Sequence, residues 1–530
     1  MDETGLPVDA TGERELSARL RQRLRGSSVP VILDGERTLP AASLWVSARR
    51  LVAGLRAAGL ERNDRVLVCT NDDLVLAAAV VAGLTGGITM ALLRPPPGGI
   101  TADRMRAGAE AVDARLVVHA SSDQIEPSGH EGMLAPAWMV SASLEGLAPV
   151  PKLRRACRRA DPDGPGIALL LHTSGSTGRP HWVALTPGNL TAVLNSHLTV
   201  LFGDAWDPQD PGERPAGVMA SVLPWHHAFG VVLDLLVGLT AAQVVLRDRA
   251  AGADPERLAA LLQQAGEGAW LNSVPLTLRR FLRAAPNEAP ARLAALGGGL
   301  VGGASVDASL GQELSRTRLR PGYGLTEAGP GVCLGDPGDF AVGVIGRPVG
   351  CHVEIVDGRL AVRGPNVGPG VLDATGLLVR RPEDRLITED TVRDHGQRLV
   401  FTGRVDDTVK LPNGCWANLT DIDSEVTAGT GVDCASLSRP DSGLTLVVDT
   451  APAAVEAWVE RSPRPWTAHV RAVAAVPADH WPRSPKGEIQ RRHLAEHLLG
   501  NDSRPVLDDL DDPSTTQGGE VARPEPSSSR

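Results

Sequence analysis

The chain has 530 residues, too many for one ordinary core, so two to four domains with ample buried area are expected, as in a large enzyme. Its 53 Lys and Arg against 63 Asp and Glu give a net charge of −10, which argues against the basic surface that holds nucleic acid or anionic lipid. Cys69, Cys157, Cys333, Cys351, Cys415 and Cys434 form no Cys-x-x-Cys pair, and no histidines cluster at zinc spacing; a disulfide framework and a structural metal are both disfavoured, and a reducing cytoplasm fits.

The text begins Met1-Asp2-Glu3, without the basic-then-apolar run of a signal peptide, so a cytoplasmic location is expected. Residues 1–28 read as an N-terminal extension or helix. From about residue 29 to 300, short apolar runs alternate with longer helical patterns. Val29–Leu33, Arg65–Cys69, Arg115–His119, Gly166–Leu171 and Ala242–Leu246 read as strands, and Ala41–Gly59 and Asp254–Ala265 as helices. Strands that are apolar at nearly every position are covered on both faces, so the alternation predicts an α/β class of parallel sheets sandwiched by helices. Leu74 to Leu93 is uncharged and about long enough to cross a bilayer. Gly83, Gly86 and Gly87 interrupt it, and Asp72-Asp73 and Arg94-Pro95-Pro96-Pro97 flank it, which predicts a buried helix, a glycine turn and a short strand with no membrane partner.

The apolar strand ending at Leu171 empties into His172-Thr173-Ser174-Gly175-Ser176-Thr177-Gly178-Arg179-Pro180. Gly175 and Gly178 allow backbone conformations that a side chain forbids, so several N–H groups can converge on one anion. Hydroxyls from Thr173, Ser174, Ser176 and Thr177 add donors, and Arg179 adds charge. This composition predicts a phosphate cradle at the carboxyl end of a strand, where ligands of α/β sheets sit. No Lys-Ser or Lys-Thr follows the second glycine, so the loop is not a Walker A sequence.

Leu223-Pro224-Trp225-His226-His227-Ala228-Phe229-Gly230 offers an imidazole able to hydrogen-bond a carboxylate. A glycine-rich run, Leu296 to Ser305, is bare enough for a flat base to approach the backbone. Arg320 to Ala328 sets Tyr323, the single tyrosine of the chain, between two glycines. After about Gly343 the text turns to short polar strands broken by Gly and Pro, such as Val353 to Val362, which read as a small β subdomain. Thr388-Glu389-Asp390 and Gly403-Arg404-Val405-Asp406-Asp407-Thr408-Val409-Lys410 follow. The segment from Asp406 to about residue 500 reads as an α+β module of roughly 90–100 residues. Residues 501–530, with Asp508-Asp509-Leu510-Asp511-Asp512, form an acidic tail too poor in apolar residues to order itself.

In order and spacing these motifs, from about residue 29 to 495, resemble those of the acyl-adenylate-forming (AMP-binding) superfamily: acyl-CoA synthetases, adenylation domains of peptide synthetases and luciferases. The resemblance implies a large N-terminal AMP-binding domain (29–405) and a mobile C-terminal domain (406–500) that swings about Asp406. It implies that Thr173, Ser174, Gly175, Ser176, Thr177 and Gly178 cradle the phosphates of ATP, with adenine over Gly303 and Ala304 and against Tyr323 and Gly324. Thr326 would contact the α-phosphate, Glu327 and Thr177 would hold Mg²⁺, Asp390 and Arg404 would grip the ribose hydroxyls, and His227 would reach the carboxylate pocket. Three departures stand out. The family has Lys-Gly where this chain has His181 and Trp182, Thr-Gly-Asp where Glu389 replaces the glycine, and a catalytic Ser-Gly-Lys where this chain reads Lys486-Gly487-Glu488.

Feruloyl-CoA synthase-type relatives carry a Lys-Leu-x-x-Gly-x-Trp text like Lys410 to Trp416, and a similar Lys-Gly order near the C-terminus. Lys486 is therefore the expected catalytic cation, steadying the developing pentavalent phosphate. The implied activity is an acyl-CoA ligase: a small-molecule carboxylic acid is activated by ATP as an acyl-adenylate and passed to coenzyme A. Delivery to an amine, a carrier-protein pantetheine or another nucleophile stays open, as does a nucleotide-binding pseudoenzyme.

Overall fold

A computed structural model describes residues 8–27, 29–35, 37–95, 99–126, 139–148, 166–173, 181–207, 215–250, 252–381, 385–396, 398–411, 413, 416–439, 443–477, 480–482 and 489–499. The long uncharged run folds as its punctuation predicts. Asp72 caps the helix Asp73–Gly86 by accepting from the N–H groups of Leu74 and Val75, and Gly87, at φ 65, ends it in the left-handed conformation. The helix is buried from Asp73 to Leu84 and leads straight into the buried strand Thr89–Leu93. A helix apolar all round belongs inside a core. Among the described residues no helix is long and apolar enough to cross a membrane.

Among the described residues the strand Leu169–Thr173 lies in a nine-stranded sheet, parallel to Thr89–Leu93, which continues parallel to Arg65–Cys69 and Leu116–Ala120. On its other side the sheet is not parallel, as the sequence had suggested. His181–Leu185 returns antiparallel, with Thr173 opposite His181, and Gly370–Leu372 adds a further antiparallel strand. The reason is the length of the connection: seven residues suffice for a hairpin, whereas a parallel return needs a crossover of about a dozen or more.

A second, five-stranded sheet runs through Trp270–Asn272, Gly217–Ser221, Ala242–Arg247, Pro30–Asp34 and Arg37–Pro40. Bridges from Trp270 to Gly298 and from Ser273 to Val301 carry it into an eight-stranded sheet, which begins Gly299–Gly302, Leu319–Tyr323 and ends with the β-rich part after Gly343. The N-terminal helix Val8–Leu24 is packed into the main core through Leu16, Leu20 and Leu24. Past Asp406 the chain builds a separate hydrophobic cluster on the three strands Cys434–Arg439, Gly443–Val448 and Val470–Ala475, with helices Leu419–Thr430 and Pro452–Arg461 against them.

One polar tie crosses the main core. Arg247, at the end of its strand, sends Nε to Asp73 Oδ2 at 2.8 Å and Nη1 to the carbonyls of Leu223 and Ser221 at 2.8 and 3.2 Å. Its guanidinium lies 4.5 Å from the Trp225 ring centroid. Both charges are buried. Removing one member of such a pair strands the other, at a cost of about 3–5 kcal/mol. Asp73→Ala is therefore expected to lower stability by about that amount, read as a fall in the urea midpoint followed by tryptophan fluorescence; an unchanged midpoint would show that the pair holds nothing.

Candidate active site

The strands Gly299–Gly302 and Leu319–Tyr323 lie parallel, with Gly302 opposite Gly322, and Gly303 follows at φ 83, a conformation that suits glycine. Gly303 and Ala304 thus sit at a strand end beside Tyr323, all partly exposed. Past Tyr323 the chain makes a closed loop: Val332 N–H donates to the Tyr323 carbonyl at 3.1 Å, and a Cβ on Gly324 would run into the Pro330 carbonyl. Tyr323 and Gly324 are held from behind.

Tyr323 hydroxyl donates to Asp390 Oδ2 at 2.6 Å, and Arg404 Nη1 lies 3.3 Å from Asp390 Oδ1. Asp390 and Arg404 face each other across the antiparallel pair Arg385–Asp394 and Leu399–Arg404. The Asp390 N–H donates to Thr388 Oγ1 at 3.1 Å, and that hydroxyl donates to the Leu360 carbonyl at 2.9 Å. Burial, reinforced by the Asp390 charge, pushes the Tyr323 phenol well above its ordinary pKa, so it stays protonated and donates. Two expected site residues, Tyr323 and Arg404, from two segments of one sheet therefore share the carboxylate of a third, Asp390.

Thr326 is buried and Glu327 partly exposed on the 3₁₀ turn Thr326–Ala328. The Glu327 carbonyl accepts from Gly368 N–H at 2.8 Å, and where a Cβ would stand on Gly368 the Ala184 carbonyl also approaches. Ala184 belongs to the strand returning from the predicted phosphate loop, so the base of that hairpin and the Glu327 turn meet at Gly368. Thr173 ends the outgoing strand. Ser174, Gly175, Ser176, Thr177 and Gly178 lie outside the described residues, as do Lys486 and the tail after residue 500. Asp406 stands in the 3₁₀ turn Val405–Asp407, directly after Arg404.

Residues 21–372 match the AMP-binding enzyme family. The chain belongs to that family. It is similar to a feruloyl-CoA synthase from Amycolatopsis sp, 30% identical over 360 residues that cover 64% of this chain and 67% of the relative. Its fold is similar to ATP-bound MatB from Rhodopseudomonas palustris (TM-score 0.71, 22% identity, 91% of this chain and 98% of that one). It is also similar to the amide bond synthetase McbA from Marinactinospora thermotolerans (TM-score 0.68, 19% identity, 93% and 100%). The acyl-adenylate-forming superfamily and its two-domain α/β fold are thereby established for this chain.

The two histidines of this AMP-binding enzyme differ in burial. His226 is buried, with Nε2 3.0 Å from the Thr70 carbonyl, and burial drives its pKa down to about 4, so it is a neutral packing group. His227, the residue singled out from the sequence, is half-buried, and its backbone N–H donates to the Pro224 carbonyl at 3.1 Å. Immediately after comes a π-helix, Phe229–Leu236. Wide turns of this kind are frequent at functional sites.

Sequence reasoning missed the acid inside that helix. Asp234 is fully buried and accepts from Ser221 Oγ at 2.9 Å, Leu223 N–H at 3.2 Å and Asn272 Nδ2 at 3.0 Å. Asn272 in turn accepts from Leu300 N–H at 2.9 Å, linking the helix to the strand that leads to Gly303. A lone charge within the apolar run Gly230 to Val245 was the available signal. Also missed was Arg381, whose lowered pKa reflects burial first and is partly restored by the nearby Glu327 charge.

Desolvation raises the Asp234 pKa from 3.8 to about 7, against the donors that favour its charge. Between those values the folded state holds a proton that the unfolded state has released, so the contribution of Asp234 to stability falls as pH rises from about 4 to about 7. The stability difference between wild type and Asp234→Asn is expected to shift in that direction, to the wild type's loss, across that window and to flatten above it. Urea midpoints at pH 4.5, 6 and 8 check this; parallel curves would refute it.

Proposed function

We propose that this protein activates a carboxylic acid with ATP as an acyl-adenylate and then transfers the acyl group to the thiol of coenzyme A. The single observation that carries the reading is the convergence of Tyr323 and Arg404 on the Asp390 carboxylate beside the Gly303–Ala304 strand end. The similarity to a feruloyl-CoA synthase supports the thiol acceptor.

In this reading Asp390 accepts from both ribose hydroxyls while Arg404 fixes its orientation, and Tyr323 presents its ring to adenine with its hydroxyl anchored. Thr173 and the loop that follows it face the phosphates, with Thr326 at the α-phosphate. Glu327 is one carboxylate with a neighbouring hydroxyl on Thr326, a donor set that suits Mg²⁺, which takes one or two carboxylates and completes its shell with substrate phosphates and water. When bound, the ion would neutralise phosphate charge. A carboxylate oxygen of the acid attacks the α-phosphorus in line; that P–O bond forms as the bond to the bridging oxygen breaks, and pyrophosphate leaves with the electron pair. Lys486 supplies positive charge to the crowded phosphorus. Rotation about Asp406 then withdraws Lys486, and the thiol sulfur attacks the acyl carbon, giving up its proton as AMP departs. Burial of His226 leaves His227 as the imidazole of the pair that faces the acid.

Transfer to an amine or a carrier thiol is the second reading, supported by the similarity to an amide bond synthetase, whereas the departures at His181, Glu389 and Glu488 point to a nucleotide-binding pseudoenzyme. A pyrophosphate-release screen over aryl, short-chain and medium-chain acids, with and without coenzyme A, tests both. Acid-dependent pyrophosphate with a thioester formed only when coenzyme A is present is the expected result; pyrophosphate without thioester favours the second reading, and none with any acid overturns both. Lys486→Ala is expected to slow adenylation about 10²–10³-fold. Tyr323→Phe, which loses one charge-assisted hydrogen bond, is expected to raise KM for ATP about tenfold with kcat little changed.

A further inference from the structure

The helix Pro187–Phe202 follows the return strand His181–Leu185, with Thr186 between them as its cap. Thr186 Oγ1 accepts from Asn189 N–H at 3.2 Å, and Asn189 Oδ1 accepts from Thr186 N–H at 2.9 Å and from its hydroxyl at 3.0 Å. Such a capping box needs only an acceptor at the third helical residue. Asn189 does more: its Nδ2 donates to the carbonyls of Pro365 at 2.8 Å and Val367 at 3.0 Å, on a distant part of the chain. The side chain is buried, and two bonds accepted with two donated use the full capacity of its amide.

Those two carbonyls belong to the segment that grips the Thr326–Ala328 turn. Gly368 N–H donates to the Glu327 carbonyl at 2.8 Å, and the buried Asn366 donates through Nδ2 to the Gly331 carbonyl at 2.7 Å. The same helix also backs the turn directly, since a Cβ on Gly331 would strike the His197 ring and one on Gly329 would press on Val193. Within itself the turn has the N–H groups of Ala328 and Gly329 bonded to the carbonyls of Leu325 and Thr326, at 2.9 and 3.2 Å. One isolated turn is too short to hold its shape unaided. Residues 365–368 set its geometry, and Asn189 clamps those residues.

We propose that Asn189 is a positioning residue for the Glu327 carboxylate, holding through residues 365–368 the turn that presents Glu327 and Thr326 to Mg²⁺ and the α-phosphate. This rests on the adenylation reading above and extends it to a residue outside the predicted motifs. Asn189 touches neither substrate nor metal. Its effect is confined to the phosphate end of the ligand, because Tyr323, Asp390 and Arg404, at the adenosine end, are tied to one another by their own bonds.

Calorimetric titration of the full-length protein with α,β-methylene-ATP and with AMP, each in Mg²⁺ and in EDTA, tests this without turnover. Asn189→Asp keeps an acceptor for Thr186 and puts a carboxylate in the first turn of the helix, which suits the cap, but it cannot donate to Pro365 and Val367. It is expected to cut the Mg²⁺-dependent gain in affinity for the analogue about tenfold, as does loss of a group that holds a metal ligand in place, and to leave AMP binding in EDTA unchanged. The uncharged Asn189→Ala is expected to lose the same gain, with a thermal midpoint lowered by the missing cap. Retained AMP affinity shows that a variant is folded; if Asn189→Asp binds no AMP, Asn189→Ala decides. A folded variant with the wild type's full gain would show Asn189 to be a helix cap only and overturn the proposal. Equal weakening of AMP and the analogue in both media by Asn189→Ala would overturn it too. A wild type that binds AMP but gains nothing from Mg²⁺ refutes the metal role of Glu327 together with the proposal, whereas one that binds no nucleotide refutes the adenylation reading itself.

Discussion

The hydrogen bond from the Tyr323 hydroxyl to the Asp390 carboxylate is the constraint around which the candidate site is arranged. It joins the parallel strand pair that ends at Gly303 and Tyr323 to the antiparallel pair that carries Asp390 and Arg404, two parts of one sheet reached through several intervening strands. A charged acceptor makes the bond strong, and burial makes it costly to leave unmade. With the phenol fixed, the ring plane, the carboxylate and the guanidinium keep one mutual geometry before any ligand arrives. Preorganisation of this kind is what a positioning site needs.

A second polar hub works beneath the histidine motif. Asp234, Ser221 and Asn272 tie the π-helix to the ends of two strands, and Trp225 Nε1 donates to the same Ser221 hydroxyl at 2.9 Å. Apolar packing alone would fix the volume of this region but not the direction of each strand end. The carboxylate sets those directions by accepting three donors at once, at the cost of a charge in the core. His226 is held in the same corner by the Thr70 carbonyl.

The main elements were legible because their physics is local. Asp72 and Gly87 mark the ends of a helix whose apolar faces leave no polar side for solvent, and the strands Arg65–Cys69 and Ala242–Arg247 fall within a residue of their apolar runs. Less legible was the hairpin after Thr173, where the alternation of strands and helices suggested a parallel neighbour and only the short connection forbade one. Asp234 belongs to no motif, and a single charge beside apolar residues has the same appearance in sequence whether it anchors a core or stands at the surface.

By itself the sequence determined which segments had to be buried, where glycine freed the backbone, and which hydroxyl, acidic and basic residues stood at motif spacing, since all of these follow from neighbours along the chain. Tertiary structure decided which of those groups meet. Tyr323 and Asp390 are 67 residues apart and come within 2.6 Å only through the pairing of strands, and the choice between His226 and His227 as the buried imidazole depends on a carbonyl 156 residues away. Contacts at such separations are set by sheet register and core closure, quantities that no local window of residues contains.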